Sequence, residues 1–471
     1  MTNDQIRERA STDNTCGEST HETCRPSLRI EDLPFDVLYT IASKLPPRDY
    51  ARTSVLSTKW RSISSFCPRW TFADVLQCKC STAYFCEHTG RLIHDVNKVL
   101  EKHRGKVVET FEVRINLVDN LIVPHINSWV AFAISSRTKN LTLDLKPKWQ
   151  FWDYKDRYAF PFKLFDGGNI PRIEHMQLSF VSLNPSSQFR GFPYLRKLHL
   201  QVAHVGRNDL QHMLSHCCSI EWLCIDRCHL NDDLIVDGSL FRLLYLRVDY
   251  CELTKIEFHA VNLVTFEYHG SLIPINIRHS LKLQSACIRL DKAALNHAAT
   301  SLLNGLPSVQ NLTLRTSVQH LEKKWSLDSP LSFLCLRHLR LFMFILHKEA
   351  DRVLYLVSVL RATPFLEKLE IHFYGTSLWL ADVGPCRNEI GLCKYNYLKK
   401  ICIIGFEAAR GQLEFLLHIV ENAPALEVVT VNRTEQSSKE IWSNGGRSAE
   451  WRMITYLLNK MLPPNLEIYI N

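Results

Sequence analysis

The chain has 471 residues, more than one ordinary hydrophobic core accommodates, and this length predicts about three domains or one extended repeat array. Apolar residues make up 46% and charged residues 22%, which excludes a wholly disordered chain, and only 17 glycines exclude a collagen-like or glycine-rich protein. The net charge of +8 is small for this length and no run of four basic residues occurs, so neither nucleic acid nor a membrane surface is favoured as a partner.

The amino-terminal segment 1–27 is polar and lacks the apolar core of a signal peptide, so it predicts a disordered tail. No apolar stretch of about 18 residues occurs, so no transmembrane helix is expected. These features favour the cytoplasm or the nucleus. In such a reducing compartment the 16 cysteines are expected to be buried thiols rather than disulfides.

Residues 28–72 predict a small module of three short helices. The apolar stripe of the first helix consists of Leu38, Ile41, Ala42 and Leu45. The pair Pro46-Pro47 ends this helix, and Asp49 and Ser57 are suitable N-caps for the second and third helices. The stretch 73–104 that follows is predicted to be a linker.

From residue 105 to residue 432 the pattern apolar-x-x-apolar-x-apolar recurs. The clearest copies begin at Leu195, Ile220, Leu243, Val309, Leu336, Leu366, Leu398 and Leu426, and weaker ones at Val108, Thr138, Ile173, Leu263 and Leu283. Their mean spacing of about 26 residues is the period of leucine-rich repeats, which contribute one strand each. Because the last two apolar positions lie two apart, both point to one side of a strand.

Stacking these copies closes their apolar sides and produces a curved parallel sheet with a concave polar face. The segments 351–361 and 411–421 have the helical period, so the returns between strands are expected to be helical in several repeats and the fold class to be α/β. Residues 433–471 predict an exposed loop and a helix, with its apolar stripe between Trp451 and Met461, that caps the solenoid.

Catalytic and cofactor motifs are absent from the sequence, so no catalytic residue, cofactor or metal is predicted. One cluster has metal-ligand chemistry, namely Cys78, Cys80, Cys86 and His88. Its tight spacing matches no common zinc finger, so we interpret it as part of a cysteine-rich linker and leave metal binding open.

An aromatic and basic segment at 149–165 allows two interpretations. Its aromatic residues are Trp149, Phe151, Trp152, Tyr154, Tyr158, Phe160, Phe162 and Phe165. Interleaved lysines and arginines would let these rings stack on single-stranded nucleic acid. We favour the other interpretation, in which the rings pack inside the longest repeat.

The polar positions of the predicted strands define a candidate substrate face. The residue between the last two apolar positions and the residue after them should point to the concave side. The candidates are Arg247, Asp249, His269, Arg289, Arg315, Arg340 and His372. Arg289, Arg315 and Arg340 belong to consecutive repeats and would form a basic ladder for an acidic or phosphorylated segment. Alternatively, these arginines pair with Glu267, Glu370 or water on a solvated face.

The helical module resembles the F-box. The matching residues are Leu33-Pro34-x-Asp36-Val37-Leu38, Ile41, Leu45-Pro46, Arg48-Asp49 and Val55-Leu56-Ser57-x-Lys59-Trp60-Arg61. The segments 158–165 and 412–427 resemble plant proteins that combine an F-box, leucine-rich repeats and an FBD-type carboxyl end. The uneven repeat intervals and the lack of an asparagine ladder depart from the regular repeat consensus.

This resemblance implies a substrate receptor of an SCF-type ubiquitin ligase. The F-box would dock a Skp-type adaptor, and through it cullin and RING subunits, while the repeats would hold an unidentified target protein. The chain itself would be non-catalytic and would bind neither nucleic acid nor membrane. The implied adaptor-binding residues are Leu33, Pro34, Ile41, Leu45, Pro46, Val55 and Trp60, with Leu38 expected in internal packing.

Two alternatives stay open at this point. One is a leucine-rich-repeat ligand sensor or scaffold that acts outside a ligase. The other is a nucleic-acid binder that uses the net positive charge and the aromatic segment.

Overall fold

A computed structural model defines most of the chain, which divides into two units, Met1–Phe66 and Cys67–Asn471. The residues it describes are 29–45, 47–73, 82–105, 107–115, 122–147, 157–166, 170–230, 232–236, 240–277, 279–291, 302, 305–316, 333–344, 353–354, 356–374, 393–432, 452, 455–456 and 458–470. The predicted tail 1–27 and the predicted loop 433–447 lie outside them.

The first unit contains the three predicted short helices: α1 (Phe35–Ser43), α2 (Pro47–Arg52) and α3 (Thr58–Ser64). The Ser57 side chain accepts a hydrogen bond from the backbone N–H of Trp60, so it caps α3 as predicted. The buried core of this unit consists of Leu38, Ala42, Tyr50, Trp60 and Ile63. The hydroxyl of Tyr50 donates to the carbonyl of Ile63, so this buried polar group is satisfied.

The second unit contains a parallel sheet of fifteen strands whose spatial order follows the chain. The strands are β1 (Arg69–Ala73), β2 (Thr110–Arg114), β3 (Asn140–Asp144), β4 (His175–Ser179), β5 (Lys197–Gln201), β6 (Trp222–Asp226), β7 (Tyr245–Asp249), β8 (Thr265–Gly270), β9 (Ser285–Leu290), β10 (Asn311–Thr316), β11 (His338–Phe344), β12 (Lys368–Tyr374), β13 (Lys400–Ile404), β14 (Val428–Asn432) and β15 (Glu467–Ile470). We call this the main sheet.

The register of the main sheet aligns the apolar pairs of the sequence pattern. Leu246 and Val248 of β7, for example, face Leu223 and Ile225 of β6, and all four side chains are buried. Burying a Leu, Ile or Val side chain stabilises the fold by about 1.5–3 kcal/mol relative to leaving it exposed. The thirteen predicted strands are therefore all confirmed, with their apolar pairs on one side of the sheet.

Two strands of the main sheet and one long helix were not predicted. Strand β1 lies partly inside the predicted helical-module range 28–72, and strand β15 follows the predicted capping helix and pairs with β14. The predicted linker 73–104 contains a long helix, α4 (Thr82–Lys102). The main sheet therefore begins before residue 105 and extends beyond residue 432.

The returns between strands are helical in several repeats, as expected, and extended in others. Helices occur at α5 (Val123–Ser135), α6 (Arg207–Ser215), α7 (Val357–Arg361) and α8 (Arg410–Asn422). Other returns are extended and form two small parallel sheets. Their strands are Tyr158–Ala159, Val181–Leu183 and His204–Val205, and then Asp232–Val236, Leu253–Phe258 and Ile275–Asn276. Among the described residues, no helix combines the length and the apolar character needed to cross a membrane.

The aromatic segment belongs to the core, as far as the structure describes it. Tyr158, Phe160, Phe162 and Phe165 are buried, and Phe162 contacts Phe189 with ring centroids 4.9 Å apart. Residues 149–156 lie outside the described part of the chain. Since buried rings cannot stack on a base, the packing interpretation is confirmed for these four residues.

The ten cysteines whose side chains the structure describes are all free thiols. Five are buried: Cys67, Cys217, Cys224, Cys228 and Cys251. Burial raises the pKa of the Cys67 thiol to about 11 and those of Cys217 and Cys224 to about 12. Their reactive thiolate forms are therefore scarce at neutral pH.

Among the ten cysteines whose side chains are described, we expect iodoacetamide at pH 8 to alkylate the exposed Cys218 and Cys335 first in the native protein. The buried thiols of Cys67, Cys217, Cys224 and Cys228 should react at least about tenfold more slowly, because burial raises their pKa and each unit lowers the thiolate fraction tenfold. Peptide mass spectrometry over time measures the individual rates. Equal rates for Cys217 and Cys218 would contradict the burial described here.

The turn directly after β13 requires a glycine. Gly405 has a φ of +79°, and a Cβ atom at this position would clash with the carbonyl oxygen of Phe373. We expect Gly405→Ala to lower the free energy of unfolding by about 1–3 kcal/mol. Gly90 in α4 is the matched control, because nothing lies within 4 Å of a Cβ there.

At this control position Gly90→Ala should raise the free energy of unfolding by about 0.8–1 kcal/mol through helix propensity. Urea unfolding of both variants and the natural chain measures the difference. An unchanged midpoint for Gly405→Ala would show that the turn after β13 tolerates a side chain.

Candidate protein-interaction surfaces

The helical module carries exposed apolar side chains on a very small core. Val55 is 79% exposed, Leu56 61% and Ile41 42%, and Ile30, Phe35 and Val37 are also exposed. Large apolar residues that stay in water on such a small unit are typical of a protein-interaction surface. We call the set Ile30, Phe35, Val37, Ile41, Val55 and Leu56 the apolar patch.

The structure sorts the predicted adaptor-binding residues into three groups. Pro34, Ile41 and Val55 are exposed, and Leu33 and Leu45 are half-buried. Lys59 donates from Nζ to the carbonyl of Leu33 at 2.7 Å, which fixes the segment that carries Leu33 and Pro34. Pro46 lies outside the described residues.

Trp60 is the residue that the structure removes from this group. It is only 5% exposed and belongs to the core of the first unit, as Leu38 does. An indole that fills a core cannot present its face to a partner. The adaptor-binding residues chosen from the sequence did not include four members of the apolar patch, namely Ile30, Phe35, Val37 and Leu56. A helical pattern with apolar residues on two sides does not show which side is buried and which stays exposed.

The polar face of the main sheet is the side opposite to the buried apolar pairs. Arg247, Asp249, Glu267 and His269 form a network on this face across β7 and β8. Arg247 Nε donates to Asp249 Oδ2, and His269 Nδ1 lies 3.1 Å from Asp249 Oδ1. Asp249 was predicted as an exposed candidate, but its side chain is buried beneath these two cations.

The ionisation of this network follows from its geometry. Burial acts to raise the pKa of Asp249, but His269 and Arg247 outweigh it and lower the pKa below its usual range. The carboxylate of Asp249 in turn raises the pKa of His269 to about 9. His269 is therefore a cation at neutral pH, and the four side chains carry two positive and two negative charges.

A second network occupies the same face on β11 and β12. Arg340 donates from Nη2 to Glu370 Oε2 at 3.1 Å, and Arg340 Nε lies 2.9 Å from Glu370 Oε1. His372 Nε2 lies 2.6 Å from Glu370 Oε1. Burial acts to raise the pKa of Glu370, but His372 and Arg340 lower it, so the carboxylate is held ionised.

The prediction of a three-arginine ladder is wrong, because the strand register does not align Arg340 with the other two arginines. Arg289 of β9 faces Arg315 of β10, but the residue of β11 that faces Arg315 is Phe342. Arg340 faces Thr313, two residues or about 6.6 Å along the strand from that position. The ladder therefore contains two arginines, and the third belongs to the network of Glu370.

Around the two facing arginines the polar face forms a pocket of about 300 Å³. Its lining consists of Tyr250, Arg289, Leu290, Asp291, Arg315, Thr316, Phe342 and Tyr374. The rings of Phe342 and His372 are stacked with centroids 4.2 Å apart, and Phe342 and Tyr374 are parallel within 7°. Cationic groups and flat apolar rings therefore line one cavity; the sequence pattern showed the arginines but not the rings.

Metal ligation finds no support in the described part of the chain, which contains no group of three or more His, Cys, Asp or Glu side chains arranged to hold an ion. Cys78 and Cys80 lie outside the described residues. Cys86 and His88 lie within α4, but the structure does not describe their side chains.

Fold and surfaces together define a leucine-rich-repeat protein with an amino-terminal helical module. The F-box domain model matches residues 30–72, and the model described as At1g61320/AtMIF1, LRR domain, matches residues 99–459. Because the second match spans more than half of the chain, this protein belongs to that leucine-rich-repeat family and carries an F-box before the repeats.

Several plant proteins are similar over most of the chain. The F-box/FBD/LRR-repeat protein At1g13570 of Arabidopsis thaliana is 24% identical over 415 residues, which cover 86% of this chain and 90% of that protein. The putative F-box/LRR-repeat protein At5g02930 of the same plant is 24% identical over 78% of this chain and 75% of its own length. F-box domains generally bind Skp-type adaptors in SCF complexes, and F-box/LRR proteins are generally non-catalytic adaptors.

The raised pKa of His269 predicts a pH dependence of stability. Because this pKa is about 9 in the folded chain against 6.5 in a free histidine, the contribution is complete below pH 6.5 and is lost as pH rises through 9. We expect the free energy of unfolding to fall over this window by at most about 1.4 kcal/mol per pH unit, the limit for one proton.

The matched variant is His269→Gln, which cannot take up the proton. Its unfolding free energy, measured by urea titration from pH 6 to pH 10, should lack this component. Parallel curves for the natural chain and the variant would show that His269 does not gain a proton on folding.

Proposed function

We propose that this protein is the substrate-recognition subunit of an SCF-type E3 ubiquitin ligase. The observation that carries the proposal is the apolar patch, which leaves six large side chains in water on the F-box module. A docked Skp-type adaptor would cover them, and apolar area removed from water is the main driving force of such association. Cullin and RING subunits would join through that adaptor and supply the ubiquitin-transfer machinery.

The repeats would hold the protein to be ubiquitinated on the polar face of the main sheet. Two observations support this role. The face carries half-exposed side chains, such as Glu267 and His269 on β8, and it contains a pocket with two arginines. An extended sheet face of this kind offers many side chains to one partner without a conformational change. For the compartment we propose the cytoplasm or the nucleus.

Adaptor docking is tested with the double variant Val55→Asp/Leu56→Asp in the full-length chain. These two side chains are the most exposed members of the patch apart from Ile30, so the core should not change. Two buried charges at an interface should together cost about 2 kcal/mol or more, and we therefore expect adaptor affinity to fall at least about thirtyfold. Co-purification and calorimetry with a Skp-type adaptor measure the loss.

The matched control is Leu281→Asp/Leu334→Asp, the same type of change at exposed leucines of the repeats. It should leave adaptor affinity as it is in the natural chain. If the patch variant has the same unfolding temperature as the natural chain and still binds the adaptor with the same affinity, the apolar patch is not the docking surface. If the natural chain binds no Skp-type adaptor, a ligand sensor or scaffold outside a ligase becomes the better interpretation.

A further inference from the structure

Two like charges face one another on the polar face at a place where the strand register holds them together. Arg289 and Arg315 are direct register partners on β9 and β10, and adjacent strands are about 4.8 Å apart. His269, a cation at neutral pH, is the next register partner on β8. Facing like charges destabilise a sheet unless a counter-charge compensates them.

Other cations of this face have such compensation. Arg247 pairs with Asp249 and Glu267, and Arg340 pairs with Glu370. Among the described residues, neither Arg289 nor Arg315 forms an ion pair. Asp291 lines the same pocket, but its carboxylate is not within ion-pair distance of either arginine.

The rest of the pocket suits a flat or apolar group. Phe342 and Tyr374 present nearly parallel rings 6.3 Å apart, and Tyr250 lines the same cavity. A ligand with an anionic end and an aromatic or apolar stem therefore matches both parts of the lining. The charge of a phosphate monoester, about −1.5 to −2 at neutral pH, matches two guanidinium groups, whereas one carboxylate leaves one guanidinium uncompensated.

We propose that Arg289 and Arg315 bind the phosphate of a phosphorylated side chain on the captured protein, with Phe342 and Tyr374 holding the stem of that side chain. This rests on the proposed function, in which the polar face captures the target. The shared chemistry is a phosphate monoester carried on a ring or on a short aliphatic stem, and the two carriers are distinguished below.

The experiment uses the full-length chain in complex with its Skp-type adaptor and measures calorimetric titrations with phenyl phosphate, ethyl phosphate and phenylacetate. We expect saturable binding of phenyl phosphate, with phenylacetate at least about tenfold weaker because it brings one charge less. A phosphorylated ring on the target predicts that phenyl phosphate binds more tightly than ethyl phosphate, and a phosphorylated aliphatic side chain predicts the reverse.

Three variants identify the groups involved. Arg289→Gln/Arg315→Gln should weaken phenyl phosphate binding at least about a hundredfold, because charge-assisted hydrogen bonds from both forks are lost. Asp291→Asn should tighten it several-fold by removing a nearby negative charge. Phe342→Leu should weaken phenyl phosphate more than ethyl phosphate.

The control variant Lys399→Gln/Lys400→Gln removes two exposed positive charges at the opposite ends of the strands and should leave binding unchanged. No saturable binding of either phosphate ester by the natural chain overturns the proposal, as does an unchanged affinity in the double-arginine variant. Adaptor binding is measured on the same preparations. If the natural chain binds the adaptor but no phosphate ester, this site alone is rejected, whereas a natural chain that binds phosphate esters but no adaptor rejects the ligase role.

Discussion

The burial of two apolar side chains per strand against the same two positions of the next strand holds the second unit together. Leu314 of β10 is buried only because Ile288 and Leu341 face it from β9 and β11. A single repeat would leave this side open to water, so each strand depends on its neighbours. End strands β1 and β15 extend this burial to both ends of the ladder.

The same register decides which polar side chains meet on the other face. Because side chains alternate along a strand, in-register packing of the apolar pairs also places the polar positions in rows. One row contains Asp249, His269, Arg289, Arg315, Phe342 and His372. At one end of this row Asp249 compensates the charge of His269, and at the other end Glu370, which lies next to the row, pairs with His372. The two arginines lie between these two acidic residues. The electrostatic character of the face is therefore a consequence of the packing of the core.

Much of this fold could be predicted from the sequence, because each strand has a local pattern. Strands β2 to β14 follow the repeat pattern, with Thr138 in the first position before β3, whereas β15 carries only the alternation of Ile468 and Ile470. Strand β1 also fits the pattern, through Cys67, Trp70 and Phe72, but it overlaps the range predicted to be the helical module. The extended returns had no periodic signal, since strands as short as Tyr158–Ala159 cannot establish one.

The surfaces were harder to predict than the fold. Arg340 occupies the inner polar position of its strand and Arg315 the following one, so consecutive repeats do not place them side by side. The burial of Trp60 depends on how three short helices close around it, which no single-helix pattern contains. Pockets such as the one beside Phe342 arise from residues on five strands and their ends, and only three-dimensional packing brings them together.

The separation of a uniform core from a variable polar row also has an evolutionary consequence. Arg247 and Glu267 face each other although twenty residues separate them in the chain, and both are flanked by interchangeable buried leucine, valine or aromatic side chains. Duplication, loss or exchange of one repeat by recombination would keep the apolar pairs in contact. The same event would bring together polar side chains that had never been neighbours. New recognition surfaces can therefore arise in this architecture from whole-repeat rearrangement, at little cost in folding.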